Sequence, residues 1–248
     1  MPQQIYGLLS DLIVRLQLVP NRSLPEQEVA ECLNLSKTPV REAFIKLAED
    51  GLVRVVPQSG TYVSPISLNR AYEGYFICHA LETACVARVA TKRSFEELCR
   101  LKAILAQQED ALRERRYEDF YYLDEVFHEF LFRIADVPLA MRFVTVARLE
   151  VDRIRSLRLQ MAIRRVEGVF EEHMAVLAAI DAKDSEAARS AMALHIDTIK
   201  NSIEEIATNQ EFWDLCHVVN RDIPRRRSRR VAAAARQADQ EETESRSS

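Results

Sequence analysis

The chain has 248 residues, 48% of them hydrophobic and 29% charged, with a formal net charge of −4. This is an ordinary globular composition, with room for one large domain or two small ones. It excludes a protein that holds nucleic acid through bulk positive charge, so any such contact must rest on local geometry. The opening "MPQQIYGLLS" lacks a charged stretch followed by an apolar run, which argues against a secretory signal. No apolar stretch approaches the roughly 20 residues that a membrane span needs. Five cysteines, Cys32, Cys78, Cys85, Cys99 and Cys216, form no C-x-x-C pair and read as reduced thiols of a cytoplasmic protein. Glycine is scarce, at five residues, and most segments carry a helical period, so a mainly α protein is predicted.

In chain order, Ile5, Leu8, Leu9, Leu12, Ile13 and Leu16 recur at helical spacing, and Pro20-Asn21 is the expected stop. "LPEQEVAECL" predicts a second, short helix. Ser36 offers a hydroxyl cap to a third, with Pro39 in its first turn, and Gly51 supplies a left-handed stop. "LVRVV" and "TYV" around "PQSG" predict a β-hairpin. From residue 67 onward the pattern is helical throughout: 69–91, 94–114, 117–135, 138–163, 166–181 and 184–208, with Pro138 opening the fourth and Asp184 capping the last. The expected organisation is a domain at 1–66, an all-helical domain at 67–212 and a disordered tail at 213–248. That tail is basic in "RRRSRR" and then acidic and serine-rich, with too few large apolar residues to fold alone. Its arginines read as a solvated run rather than a phosphate-binding arm.

On the third helix Val40, Ala43, Phe44 and Leu47 share one face, while Lys37, Thr38, Arg41, Ile45 and Lys46 lie off it. A helix buried on one side and cationic at the start of the other is what a helix-turn-helix lays in a major groove. Arg41 would put its planar fork on a guanine edge, with Thr38 and Lys37 on a phosphate or base. The hairpin behind would act as a wing, carrying Gln58, Ser59, Gly60 and Thr61 to the adjacent backbone or minor groove. Acidic residues, among them Glu26, Glu28, Glu31, Glu42 and Glu49, offset the basic ones, so a few placed contacts and dimerisation must supply the affinity. The stretch "SLPEQEVAECLNLSKTPVREAFIKLAEDGLVRVVPQSGTYV" resembles the winged-helix domain of the GntR family of bacterial transcriptional regulators. Two positions depart from its pattern. Lys37 stands where arginine is usual, and Gln27 stands at a second-helix position that is often arginine. Both keep hydrogen-bonding capacity and lose a guanidinium fork, so the resemblance implies a shifted operator preference.

The helical region carries polar residues inside apolar stripes. Asp124 and His128 fall within or beside the stripe Phe120, Leu123, Phe127, Leu131 and Ile134. His173 sits in Phe170, Met174, Leu177 and Ile180, and His195 in Met192, Ile196, Ile199 and Ile203. Buried polar groups need partners, and one divalent ion would satisfy all four residues. Asp124 and His128, four residues apart, reach one point from one helix face, and the other two converge from neighbouring helices. One carboxylate and three imidazoles suit Zn²⁺, Ni²⁺, Mn²⁺ or Fe²⁺ without choosing among them. His79 and His217 read as ordinary hydrogen-bonded residues.

The same region is similar to the all-helical FCD ligand-binding domain of FadR-type GntR regulators, through "DEVFH", "EEHMAVLAAIDAKDSEAARSAMALHI" and "LETACVARVA". The resemblance implies that Asp124, His128, His173 and His195 hold a divalent cation at the floor of an effector pocket, and that a small carboxylate completes the coordination. A pocket arginine common three residues before the first-helix Leu-Glu is Cys78 here, with Arg153 or Arg155 as possible substitutes. The combined expectation is a winged helix-turn-helix followed by an all-α bundle: a cytoplasmic, homodimeric, non-enzymatic regulator, expected to repress. It would bind a pseudo-palindromic double-stranded operator under control of a small organic acid held at a metal. The rival readings are a metal-dependent enzyme with a DNA-binding appendix and a regulator whose ion is purely structural.

Overall fold

A computed structural model of the chain describes residues 1–160 and 166–209. These divide into two compact units, Met1–Ile66 and Ser67–Thr208.

The first unit runs α1 (Pro2–Val14), α2 (Glu26–Leu33), α3 (Lys37–Glu49), β1 (Val53–Val56) and β2 (Gly60–Val63). Its core is the apolar face of α1 (Ile5, Leu9, Leu12, Ile13) against that of α3 (Val40, Ala43, Phe44, Leu47), closed by Leu52, Val53 and Val63. The first helix ends at Val14, earlier than its periodicity suggested. Leu16 turns left-handed, and the amides of Gln17 and Leu18 both fold back onto the Leu12 carbonyl. That fold-back sends Leu18 and Val19 into the core, where burial outweighs another helical turn. Asn34, in the left-handed region at φ 56°, ends α2. Ser36 occupies the N-cap of α3 with extended backbone, but its hydroxyl makes no capping bond, so the expected cap contributes only through the backbone. Gly51 takes φ 74° after α3, as the stop required. The hairpin pairs Val53 with Val63 and Val55 with Thr61. The segment entering α2 adds to its edge, since the Leu24 amide donates to the Thr61 carbonyl at 2.8 Å.

The second unit holds α4 (Leu68–Lys92), α5 (Phe95–Arg113), α6 (Tyr117–Ala135), α7 (Pro138–Gln160), α8 (Val166–Asp181) and α9 (Ser185–Thr208). The long α4 lies against α6, α7, α8 and α9, while α5 packs on α6 and α8. Boundaries follow local chemistry. Ser94 and Glu97 form a reciprocal capping box on α5. The Asp184 carboxylate accepts from the Glu186 and Ala187 amides at 3.1 and 2.9 Å, starting α9. Where α4 crosses α7, Gly74 is required by space: a Cβ there would lie 2.3 Å from the Ala147 carbonyl oxygen. Among the described residues no helix is long and apolar enough to cross a membrane. The expectations for the tail, including its arginine run, Cys216 and His217, lie outside the described residues.

Candidate metal centre and nucleic-acid interface

On α3 the apolar face is buried, and Lys37, Thr38, Arg41, Ile45 and Lys46 are exposed, as the wheel required. Arg41 is engaged within its own unit: its Nε lies 3.2 Å and its Nη2 3.0 Å from the Glu26 carboxylate on α2. Lys46 Nζ donates to the Gln3 side chain at 3.0 Å and sits over the Tyr6 ring, so it braces α1. Gln27 is exposed and its amide donates to Glu31. At the hairpin tip Gln58 takes φ 61° and Gly60 φ 127°, leaving Ser59 and Gly60 exposed; the Ser59 hydroxyl is 2.7 Å from the Tyr62 hydroxyl. Thr61 is buried, at 8% exposure, so it supports the tip from beneath rather than facing outward.

In the second unit Asp124 and His128 on α6, His173 on α8 and His195 on α9 are all buried, none above 3% exposed. One donor atom from each lies within 4.8 Å of the other three. His173 sits deeper than its sequence stripe implied. Met174 is 44% exposed, and the buried face of α8 runs Val166, His173, Val176, Leu177 and Ile180, with the histidine near its centre.

Around the cluster each imidazole presents Nδ1 to an oxygen acceptor and Nε2 to the middle. His173 Nδ1 is 2.9 Å from Gln108 Oε1 and His195 Nδ1 is 3.0 Å from Glu172 Oε2. His128 Nδ1 abuts the buried Glu82 carboxylate. The orientation of Gln108 is fixed because its amide nitrogen donates to the Phe120 carbonyl. Its oxygen must therefore face His173, which makes Nδ1 the protonated nitrogen and leaves the Nε2 lone pair pointing inward. The same logic at His128 and His195 sets two Nε2 lone pairs face to face at 3.2 Å.

Asp124 divides its oxygens. Oδ2 receives Arg155 at 2.8 Å and Arg148 at 3.3 Å. Oδ1 has no hydrogen-bond partner and faces His173 Nε2 at 3.3 Å and His128 Nε2 at 3.9 Å. Burial alone would raise the Asp124 carboxyl, but Arg155, His173 and His128 hold it well below the usual carboxylate range. Burial pushes His173 down to about 3 and lowers His195 as well, favouring the neutral, ligating imidazole. Three Nε2 atoms and one carboxylate oxygen thus converge, with His173 and His195 hydrogen-bonded from behind and His128 backed by the Glu82 carboxylate, in the manner of metal-bound histidine. The residues fit a divalent cation with an N₃O donor set.

The other pocket candidates separate. Cys78 is fully buried, and burial beside Glu82 pushes its thiol up. Arg153, also fully buried, reaches Glu150 at 3.2 Å, and Glu150 in turn accepts the Ser67 amide at 2.5 Å, tying α7 to the start of α4. Neither lines the cavity beside the cluster. Arg155 does, together with Arg158, Tyr121, His195, Thr198 and Ser202. Arg158 was not singled out by sequence, because a basic residue late in an amphipathic helix reads as solvated. His79 is partly exposed, 4.0 Å from Asp197.

Comparison with known proteins agrees with both units. Residues 2–63 match the family model for bacterial regulatory proteins of the gntR family, and residues 73–198 match that for the FCD domain. The chain is 36% identical over 211 residues to the HTH-type transcriptional repressor RspR of Escherichia coli K12, covering 85% of this chain and 92% of that protein. It is 30% identical over 204 residues to an uncharacterized HTH-type regulator of Streptomyces ambofaciens, covering 82% and 85%. In fold it resembles E. coli McbR/YncC, at TM-score 0.74, 20% identity and coverage of 84% and 98%. It also resembles a putative GntR regulator from Rhodococcus sp. RHA1, at TM-score 0.70, 21% identity and coverage of 84% and 99%. The chain therefore belongs to the GntR family of bacterial regulatory proteins, in the branch that carries an FCD domain, and is a DNA-binding transcriptional regulator rather than an enzyme.

Proposed function

We propose that this regulator is a cytoplasmic repressor that binds a pseudo-palindromic double-stranded operator as a homodimer and responds to a small carboxylate at a divalent metal. Residues 1–66 would read DNA, residues 67–212 would hold the metal and effector and form the dimer, and 213–248 would be a tail. The name of the E. coli relative, a transcriptional repressor, supports the sign of the regulation. One short recognition helix spans few base pairs, which supports two copies on two half-sites. In this reading Arg41, Thr38 and Lys37 meet base edges and phosphates from α3. Gln27 on α2, with Ser59 and Gly60 at the wing, adds backbone contacts, and Thr61 holds the wing in register.

The observation that carries the sensory half is the convergence of the three Nε2 atoms and Asp124 Oδ1, with His173 and His195 hydrogen-bonded at Nδ1 and His128 Nδ1 against the Glu82 carboxylate. Asp124, His128, His173 and His195 would hold the ion, which when bound supplies fixed positive charge and open positions for a carboxylate. Arg148 and Arg155 keep Asp124 ionised and aimed. Effector and operator must then change each other's affinity by the same factor.

Elemental analysis of the purified chain and of Asp124→Ala tests the metal, with about one equivalent expected in the first and loss in the second. Fluorescence anisotropy on an operator fragment, with and without a panel of organic acids, tests the response. A chain that binds metal while no acid alters operator affinity would leave the ion a structural role.

A further inference from the structure

Among the described residues, two guanidiniums line the cavity beside the metal cluster, and they differ in how fully their charge is matched. Arg155 and Arg158 stand one turn apart on α7, and both line it. Arg155 is matched by two carboxylates, Asp124 at 2.8 Å and Asp152 at 3.6 Å. Arg158 has one carboxylate partner, Glu205 on α9 at 2.9 Å, and that side chain is 48% exposed while Arg158 is 16% exposed. A half-solvated ion pair of this kind is weak and easily exchanged. The Arg158 Nε is buried with no hydrogen-bond partner, and one Nη meets the Ser202 hydroxyl. The hydroxyl protons nearby are already spent: Ser202 donates to the Thr198 carbonyl at 2.8 Å and Thr198 to the His195 carbonyl at 2.7 Å. An oxyanion entering here finds its donors on the arginines of α7 and not on α9, and of the two Arg158 is the less fully matched in charge.

We infer that Arg158 is the specificity residue of the effector pocket, receiving a second anionic group at the end of the ligand away from the metal cluster. This rests on the effector reading above and narrows it from a small carboxylate to a small dianion. His195 and Arg158 both line the cavity, so a ligand anchored beside the imidazoles reaches Arg158 within one molecule's length. The cavity is small, about 70 Å³, and partly open to solvent, which favours a short acid that reaches out of it over a large or aromatic one. The planar Nε–Nη edge takes a carboxylate in two parallel bonds, a pattern a lysine cannot supply. Glu205 then acts as an internal competitor: the ligand displaces it from Arg158 and loosens one α7–α9 tie.

The test compares succinate with butyrate, equal in carbon number and different by one carboxylate. Both are titrated calorimetrically into the full chain, as purified and after zinc loading. Succinate is expected to bind roughly ten-fold tighter, the scale of one well-made charge-assisted bond. Arg158→Gln should erase that preference, Arg158→Lys should restore only part of it, and Glu205→Gln should strengthen succinate binding several-fold. The last effect is one that a merely structural Arg158–Glu205 pair would not produce. Equal binding of the two acids, no binding of either, or weakened binding in Glu205→Gln would overturn the inference. The two readings fail separately. An Arg158-dependent preference on a chain that takes up no zinc removes the metal and leaves the clamp. Zinc uptake with no preference for succinate removes the clamp and leaves the metal.

Discussion

Asp124 shows at the scale of one residue how the centre is built: two arginines hold one oxygen, and the other is left to face three imidazoles. The imidazoles depend on their outer partners in the same way. Gln108 is completely buried and serves His173 alone on its acceptor side. Replacing it with leucine leaves the Nδ1–H of His173 unpaired and its ring free to take the other tautomer. Gln108→Leu should lower metal affinity roughly ten- to a hundred-fold, read by competition with a chelating dye. Helical content by circular dichroism should stay unchanged. The four candidate ligands were legible in the sequence because each interrupts an apolar stripe at helical spacing, where an isolated polar residue needs a reason. Gln108, Glu82 and Glu172 were not. Their partners lie far along the chain, on other helices, and only packing brings them together. Gly74 makes the opposite case: a residue chosen for what it lacks. With a Cβ 2.3 Å from the Ala147 carbonyl oxygen, Gly74→Ala forces backbone apart and should cost roughly 1–3 kcal/mol, measurable as a fall in the urea midpoint.

Among the elements, α3 and α7 carry the functional load in different ways. The first is amphipathic in plain view, so its buried and exposed faces could be read from the wheel. What the wheel could not show is that Arg41 is held by Glu26 of α2 in the free chain. For the proposed role of Arg41, DNA would have to displace that carboxylate, so the two residues make opposed predictions. Arg41→Ala should weaken specific binding roughly ten- to a hundred-fold if the fork reads a base. Glu26→Gln should strengthen binding and steepen its dependence on salt, because a competing carboxylate beside the DNA phosphates is removed. An anisotropy titration at several salt concentrations separates these outcomes. Should Glu26→Gln weaken binding instead, Glu26 would be orienting Arg41 rather than competing for it. By contrast α7 is a rack of buried charge. Arg148 and Arg155 reach Asp124, Glu150, held by Arg153, reaches the start of α4, and Arg158 reaches α9. Its sequence "RLEVDRIRSLR" gave no hint of which arginine goes where: Arg153 and Arg155, two apart, fall on nearly opposite faces while Arg155 and Arg158, three apart, share one, and the period alone does not say which face meets the cavity. The misread end of α1 has a related cause. Periodicity registers which residues are apolar, and Leu16 is apolar and buried whether or not the helix continues through it.

For the whole molecule, the open question is how a chain with one short recognition helix becomes two. The described surface has an apolar strip that wraps from the outer side of α4 onto the flank of α7. On α4, Tyr72, Phe76, Ala80 and Ala84 are exposed at four-residue spacing, and on α7 so are Leu139, Phe143 and Val146. The two helices pack together and run antiparallel, since Ser67 meets Glu150 while Gly74 meets Ala147. At 100° per residue, measured from the Gly74–Ala147 crossing, the α7 stripe turns to the same side as Ala80 and Ala84, while Tyr72 and Phe76 lie roughly opposite the crossing on the outer face of α4. Phe76 is 70% exposed, Phe143 60%, Leu139 61%, Val146 41% and Tyr72 36%. At about 200 Å² for a whole aromatic side chain, these five leave on the order of 500 Å² uncovered per copy. Two such faces together bury about 1,000 Å², near the lower bound for a specific interface. Arg70, Glu73 and Arg142 rim the patch with both signs of charge, which a twofold contact can pair. A second copy of this chain is the proposed occupant of the strip. Phe76→Glu with Phe143→Glu should therefore convert a micromolar dimer to a monomer in sedimentation velocity. Metal affinity should stay as it was, because neither residue belongs to the cluster. Operator binding should fall steeply, because each half-site is then held by one helix alone. If the double variant stays dimeric, the contact lies on another face and these stripes cover something else. If the unaltered chain sediments as a monomer at that concentration, dimerisation itself must wait for DNA.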